Sequence, residues 1–147
     1  MRKRIYCAVM AVMFYGLLQI SSVNAQSPVQ RPLRITGDGV LSLTTNEGFE
    51  AGVVSHGGLF ENNVFAVGPG QLAGTIVLAN GDTRTWTATL TTTFIDPTHV
   101  TLQGTITITG GTGKYEGATG SIEFEGAGTL EGTELHYTYT GEGWIKY

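Results

Sequence analysis

Among the side chains able to do chemistry, His56 stands out. It lies in Ser55-His56-Gly57-Gly58, where little bulk crowds the imidazole. A histidine so placed can line a pocket as an acid/base or hydrogen-bond donor, with Glu61 or Glu50 as its orienting carboxylate. The simpler reading is a structural ring bonded to backbone in an irregular strand. Ser55 and His56 do not form a nucleophile pair, because neighbours on a strand point to opposite faces. His99 and His136 have no partner at a metal-ligand spacing, and no Cys/His cluster exists, so no metal is expected. The run Gly110-Gly111-Thr112-Gly113-Lys114 looks like a phosphate loop but lacks the required spacing and leads toward a strand instead of a helix.

The aromatic residues offer a second chemistry, stacking on apolar ligand faces. Trp86, Trp144, Tyr137 and Tyr139 invite that reading. Trp86 is in phase with Ala88 and Leu90, however, and the two tyrosines with Leu135, so packing accounts for them first. Tyr115 follows the glycine cluster and is expected to pack over an end of the fold in preference to acting as a catalytic phenol. The carboxylates show no glycosidase pairing. Candidates for a ligand site are therefore His56, Glu61, Trp86, Tyr115 and Tyr137, and no catalytic residue can be named.

These residues sit on a pattern of strands. Thr85–Phe94 places Trp86, Ala88, Leu90 and Phe94 on one face and threonines on the other. Leu102, Gly104, Ile106 and Ile108 form one face of the next run; Ile122, Phe124, Gly126, Gly128 and Leu130 form another. One dry face and one wet face is the antiparallel pattern. Asn80-Gly81 marks a tight hairpin, Asp96-Pro97 and Glu131-Gly132-Thr133 mark further turns, and no segment reads as a helix. Strands are predicted at 40–45, 51–60, 72–79, 83–94, 99–109, 118–130 and 133–146, with 33–37 as an eighth. Connections this short impose an up-and-down meander, whose apolar face must be covered by closing into a barrel or folding into a sandwich. Glycines within the apolar phase favour the barrel, since they permit strong coiling. The fold class expected is all-β, a single antiparallel barrel of about eight strands, which can hold one small ligand.

The N-terminus reads as a signal peptide, residues 1–25: basic Met1-Arg2-Lys3-Arg4, an apolar run from Ile5 to Ile20 too short for a bilayer span of about 20 residues, and Val23-Asn24-Ala25. Residues 26–32 read as a flexible lead-in and 33–147 as the barrel domain. The expected location is secreted or periplasmic. Cys7 falls in the signal, so the mature chain has no thiol for a disulfide, a metal or catalysis. The signal carries cations and no acids, leaving a mature chain more acidic than the −4 of the whole. Its cations, Arg31, Arg34, Arg84, Lys114 and Lys146, are scattered along the sequence. Neither a nucleic-acid partner nor, after signal cleavage, a membrane is expected.

The segment Gly110–Ser121, GGTGKYEGATGS, resembles the GGTG-[RK]-[FY]-x-G-A-[TR]-G signature of allene oxide cyclase-like and dirigent-like β-barrel proteins. The chain is more closely similar to small secreted bacterial proteins of that barrel type. Those carry a Thr-His-Leu-Gly-[RK]-Phe element, an Ala-Asn-Gly-Asp hairpin and a Gly-Gly-Thr-Gly segment. Here the elements read Ser55–Phe60, Ala79–Asp82 and Gly110–Ser121, in that order, with Gly57 and Leu59 replacing the usual leucine and cation. The resemblance implies an eight-stranded antiparallel barrel that uses no cofactor, with a homo-oligomer as a plausible assembly. Plant members of the group isomerise an unstable epoxide, dirigent proteins steer radical coupling, and some bacterial relatives cyclise polyketides. Two functions follow as expectations. The first is a non-catalytic barrel, binding a small hydrophobic ligand or serving as a structural module. The alternative is a cofactor-free isomerase or cyclase acting on a small hydrophobic substrate inside the barrel.

Overall fold

The computed structural model describes residues 27–147; the expected signal peptide lies outside them. Eight strands follow one another: β1 Gln30–Ser42, β2 Glu47–Val54, β3 Gly58–Gly68, β4 Gln71–Leu78, β5 Thr83–Phe94, β6 His99–Gly111, β7 Thr119–Glu131 and β8 Glu134–Lys146. Each pairs antiparallel with its neighbour, and β8 returns to β1 to close the barrel. The seam is long, running from Gln30 opposite Lys146 to Ser42 opposite Glu134.

The fold corrects the sequence reading in its first half. Runs 33–37 and 40–45 belong largely to one strand, which begins at Gln30, inside the expected lead-in. The run 51–60 crosses the Ser55–Gly57 turn, and β3 continues to Gly68 as a strand of its own. Gly37-Asp38-Gly39 stays in β1 because its glycines face tyrosines across the seam, with Gly37 opposite Tyr139 and Gly39 opposite Tyr137. A Cβ at Gly39 would lie 2.7 Å from the Phe49 carbonyl oxygen and 2.9 Å from the Tyr137 hydroxyl. Gly39→Ala should therefore cost about 1–3 kcal/mol through overpacking. A urea midpoint unchanged from wild type would contradict that crowding.

The two ends of the barrel differ. One carries both described termini, the β2–β3 and β4–β5 turns and the β6–β7 connection. There a single 3-10 turn, Gly113–Tyr115, drives Tyr115 into the interior at 0% exposure, with Leu33, Val54, Ala118 and Ile145 packed around it. Thr112 ties this connection down: Thr83 N–H donates to its Oγ1 at 3.1 Å and its own N–H donates to the Thr83 carbonyl at 3.0 Å. The opposite end, with the β1–β2, β3–β4, β5–β6 and β7–β8 turns, has no such plug among the described residues.

Candidate functional site

The inward residues of the middle layer are not all apolar. Glu50 on β2, Asn62 on β3 and Trp86 on β5 are buried, Glu50 at 5% exposure. They meet Tyr137 and Tyr139 of β8 in one hydrogen-bonded cluster. Trp86 Nε1 donates to Asn62 Oδ1 at 3.3 Å, and Asn62 Nδ2 donates to Glu50 Oε1 at 2.6 Å. Tyr139 donates to Oε1 at 2.9 Å and Tyr137 to Oε2 at 2.8 Å. Burying polar groups is tolerated where each finds a partner, and this network supplies them.

Above this cluster a cavity of about 260 Å³ runs to the unplugged end. Its walls are apolar, from Leu41, Leu72, Ala88, Leu90, Leu102, Leu130 and Leu135, and its rim includes Leu43 and Phe94. Glu50, Trp86, Phe124, Tyr137 and Tyr139 face its inner part. The space exceeds the roughly 150 Å³ cavity that admits benzene in an engineered protein core. Below the cluster, the void that Glu50 and Arg84 both border is only about 10 Å³.

The Glu50 carboxyl is held above the ordinary carboxylate range, chiefly because burial disfavours its charge; Asp38 adds to the rise, while the bonds from Asn62, Tyr137 and Tyr139 oppose it. Both tyrosine hydroxyls are pushed up by burial and by the neighbouring Glu50 charge, so they remain donors. A raised folded-state value means that the folded chain keeps a proton the unfolded chain has released. Stability from Glu50 is thus fully present below about pH 4.5, its ordinary value, and is lost as pH rises through the higher folded value. Wild-type protein should lose stability relative to Glu50→Gln across this window. Parallel urea midpoints at pH 5 and pH 8 would contradict it.

The unplugged rim has more acids than bases. Glu47, Asp96, Glu131 and Glu134 stand at its turns or strand ends with His99 beside Asp96 and His136 between Glu131 and Glu134, and no described lysine or arginine does. Asp96 is held down at about 2, first by the Thr98 N–H, then by the His99 ring and N–H. The described cations gather toward the other end. Arg31 and Arg34 lie early in β1, Arg84 opens β5, Lys114 lies in the 3-10 turn, and Lys146 ends β8.

The residues singled out from sequence separate accordingly. Trp86 and Tyr137 line the cavity. His56 does not: it sits in the β2–β3 turn at the plugged end with φ +62°, its Nε2 donating to the Pro32 carbonyl at 2.9 Å. Its own carbonyl accepts from Lys114 Nζ at 2.9 Å and from the Tyr115 hydroxyl. Glu61 lies on the outer surface, exposed. Tyr115 is the plug. Glu50, named only as an orienter for His56, is the acid that reaches the cavity, and Asn62 went unread. Both are polar residues in an inward phase, a signal visible only once the strands and their faces are known.

Among the described residues no group of three His, Cys, Asp or Glu side chains is gathered to hold a metal. Comparison of the chain with protein-family models, curated proteins and solved structures finds no match.

Proposed function

We propose that this barrel binds one small, largely apolar molecule through its unplugged end, seating the molecule's polar group on Glu50 and Tyr137. The observation that carries the reading is the contrast inside the cavity: apolar walls with one concentrated hydrogen-bonding cluster at the inner end, the usual arrangement of a small-molecule pocket. The resemblance of Gly110–Ser121 to the cyclase-like and dirigent-like signature supports the same use of the interior, as does the capacity of an eight-stranded barrel for one ligand.

The test is titration with N-phenyl-1-naphthylamine, an uncharged apolar reporter that fluoresces on leaving water. Wild-type protein should give saturable enhancement at one site. Ala88→Phe should abolish it, because Ala88 is a small residue on the cavity wall. Absence of enhancement, or equal enhancement in a folded Ala88→Phe protein, would overturn the reading.

A second reading, cofactor-free isomerisation, is favoured by the raised Glu50 value. As its carboxylate, Glu50 can take a proton from one carbon of a bound molecule and return it to another, while Tyr137, whose one O–H is released from Oε2 as that carboxylate becomes the acid, turns to donate to the oxygen that gains charge. Protein-dependent deuterium incorporation into a bound ketone in heavy water, lost in Glu50→Gln, is the expected result. No incorporation above the protein-free rate would remove this reading and leave binding standing.

A further inference from the structure

We propose that the molecule the cavity selects is a hydrophobic amine, held as its ammonium on Glu50 Oε2. This rests on the binding reading and narrows it to a ligand class. The first support is how Glu50 is satisfied. Its three partners, Asn62 Nδ2 and the two tyrosine hydroxyls, are all donors, which suits a carboxylate. None of them carries positive charge, and Glu50 makes no ion pair among the described residues. Arg84 does not serve, because it stacks on Tyr115 at 4.0 Å in the plugged end and Trp86 is the next inward residue toward the mouth. A buried carboxylate with donors and no cation lacks one component, and an ammonium supplies it.

The second support is the open position on that carboxylate. Oε1 accepts two hydrogen bonds and Oε2 only one, from Tyr137. Tyr137 is the half-buried member of the cluster, so the oxygen with acceptor capacity to spare is the one on its side. Trp86, Phe124, Tyr137 and Tyr139 all border the same space, and aromatic faces attract a cation that has shed its water.

The third support is the charge along the barrel axis. A ligand entering by the unplugged end passes four acids, Glu47, Asp96, Glu131 and Glu134, against two histidines, His99 at 2.8 Å from Asp96 and His136 at 3.5 Å from Glu134, and meets no described lysine or arginine. Such a rim concentrates cations and turns away carboxylates and phosphates. The apolar walls then require that the rest of the molecule be hydrocarbon. Entry, wall and floor thus agree on one chemistry, an apolar body with a single amino group.

The experiment is displacement of bound N-phenyl-1-naphthylamine from the full chain at neutral pH by three compounds sharing one cage: 1-aminoadamantane, 1-adamantanol and 1-adamantanecarboxylate. The amine should displace the reporter at roughly ten- to hundredfold lower concentration than the alcohol, the value of a hydrogen bond to a charged group. The carboxylate should be the weakest. Glu50→Gln should remove the advantage, bringing amine and alcohol within about threefold of each other. The wild-type comparison decides the matter even if that variant fails to fold. Equal potency of alcohol and amine, preference for the carboxylate, or no displacement by any of them overturns the amine inference while the reporter's own binding keeps the binding reading intact. A reporter that does not bind removes both.

Discussion

Tyr115→Ala should destabilise the protein by about 3–5 kcal/mol, the range for truncating a fully buried aromatic ring. Tyr115 has 0% exposure and several distinct contacts. Its hydroxyl donates to the His56 carbonyl, its edge meets Tyr147 with centroids 4.8 Å apart, and Arg84 covers it at 4.0 Å. Truncation opens the plugged end to water and leaves Lys114 Nζ alone to bond the His56 carbonyl from the β6–β7 connection. Against a total of about 5–15 kcal/mol for a domain, the loss is large enough to see as a shifted urea midpoint. Tyr115→Phe keeps the packing and should show only the hydrogen-bond part, about 1 kcal/mol. If alanine and phenylalanine variants unfold at the same denaturant concentration, the ring is not the plug described above.

Arg84, its neighbour, should respond with the opposite sign. The residue is 1% exposed, with Nη2 3.5 Å from the Ser55 carbonyl and no partner for Nε or Nη1 among the described residues. A buried cation so thinly satisfied carries a desolvation cost of several kcal/mol that stacking on Tyr115, about 2 kcal/mol, offsets only in part. Arg84→Met keeps a long, flexible stem and discards the charge, so the barrel should gain about 1–4 kcal/mol. Chemical denaturation of the two proteins side by side checks it. A methionine variant less stable than wild type would mean that the guanidinium has partners making up for its burial. Because the two residues touch, their effects should not add. Water admitted by Tyr115→Ala solvates Arg84, so Arg84→Met should help less in that background.

The second half of the chain was legible because its strands keep one face apolar. Trp86, Ala88 and Leu90 on β5 and Ile106 and Ile108 on β6 follow strict alternation, and all turn inward. The first half hides its period in two ways. On β3, Leu59, Phe65 and Val67 are exposed while Asn62 is buried, so polarity does not mark the faces. On β1, Gly37-Asp38-Gly39 has the composition of a turn and is strand because two tyrosines, a hundred residues later, need the room. The candidate site was legible only as parts. Trp86 and Tyr137 announce themselves by phase, but their meeting with Glu50 depends on β2, β3, β5 and β8 curling around one interior. His56 lies away from the cavity for a local reason: its left-handed backbone belongs to the β2–β3 turn, and the glycines beside it serve that turn.

The β1–β8 seam also bears on how the chain reaches this shape. Consecutive hairpins can zip as they emerge, since each strand finds its partner one short turn away. The first strand, however, has one edge satisfied only by the last, and Val29 N–H meets the Tyr147 carbonyl at 3.3 Å. Until β8 is available, β1 and β7 both present long unpaired backbones, an invitation to pair with other chains. Contacts of such sequence separation make for slow maturation. The barrel is a structure completed by its final thirteen-residue strand, and its vulnerable period is the interval before that strand arrives.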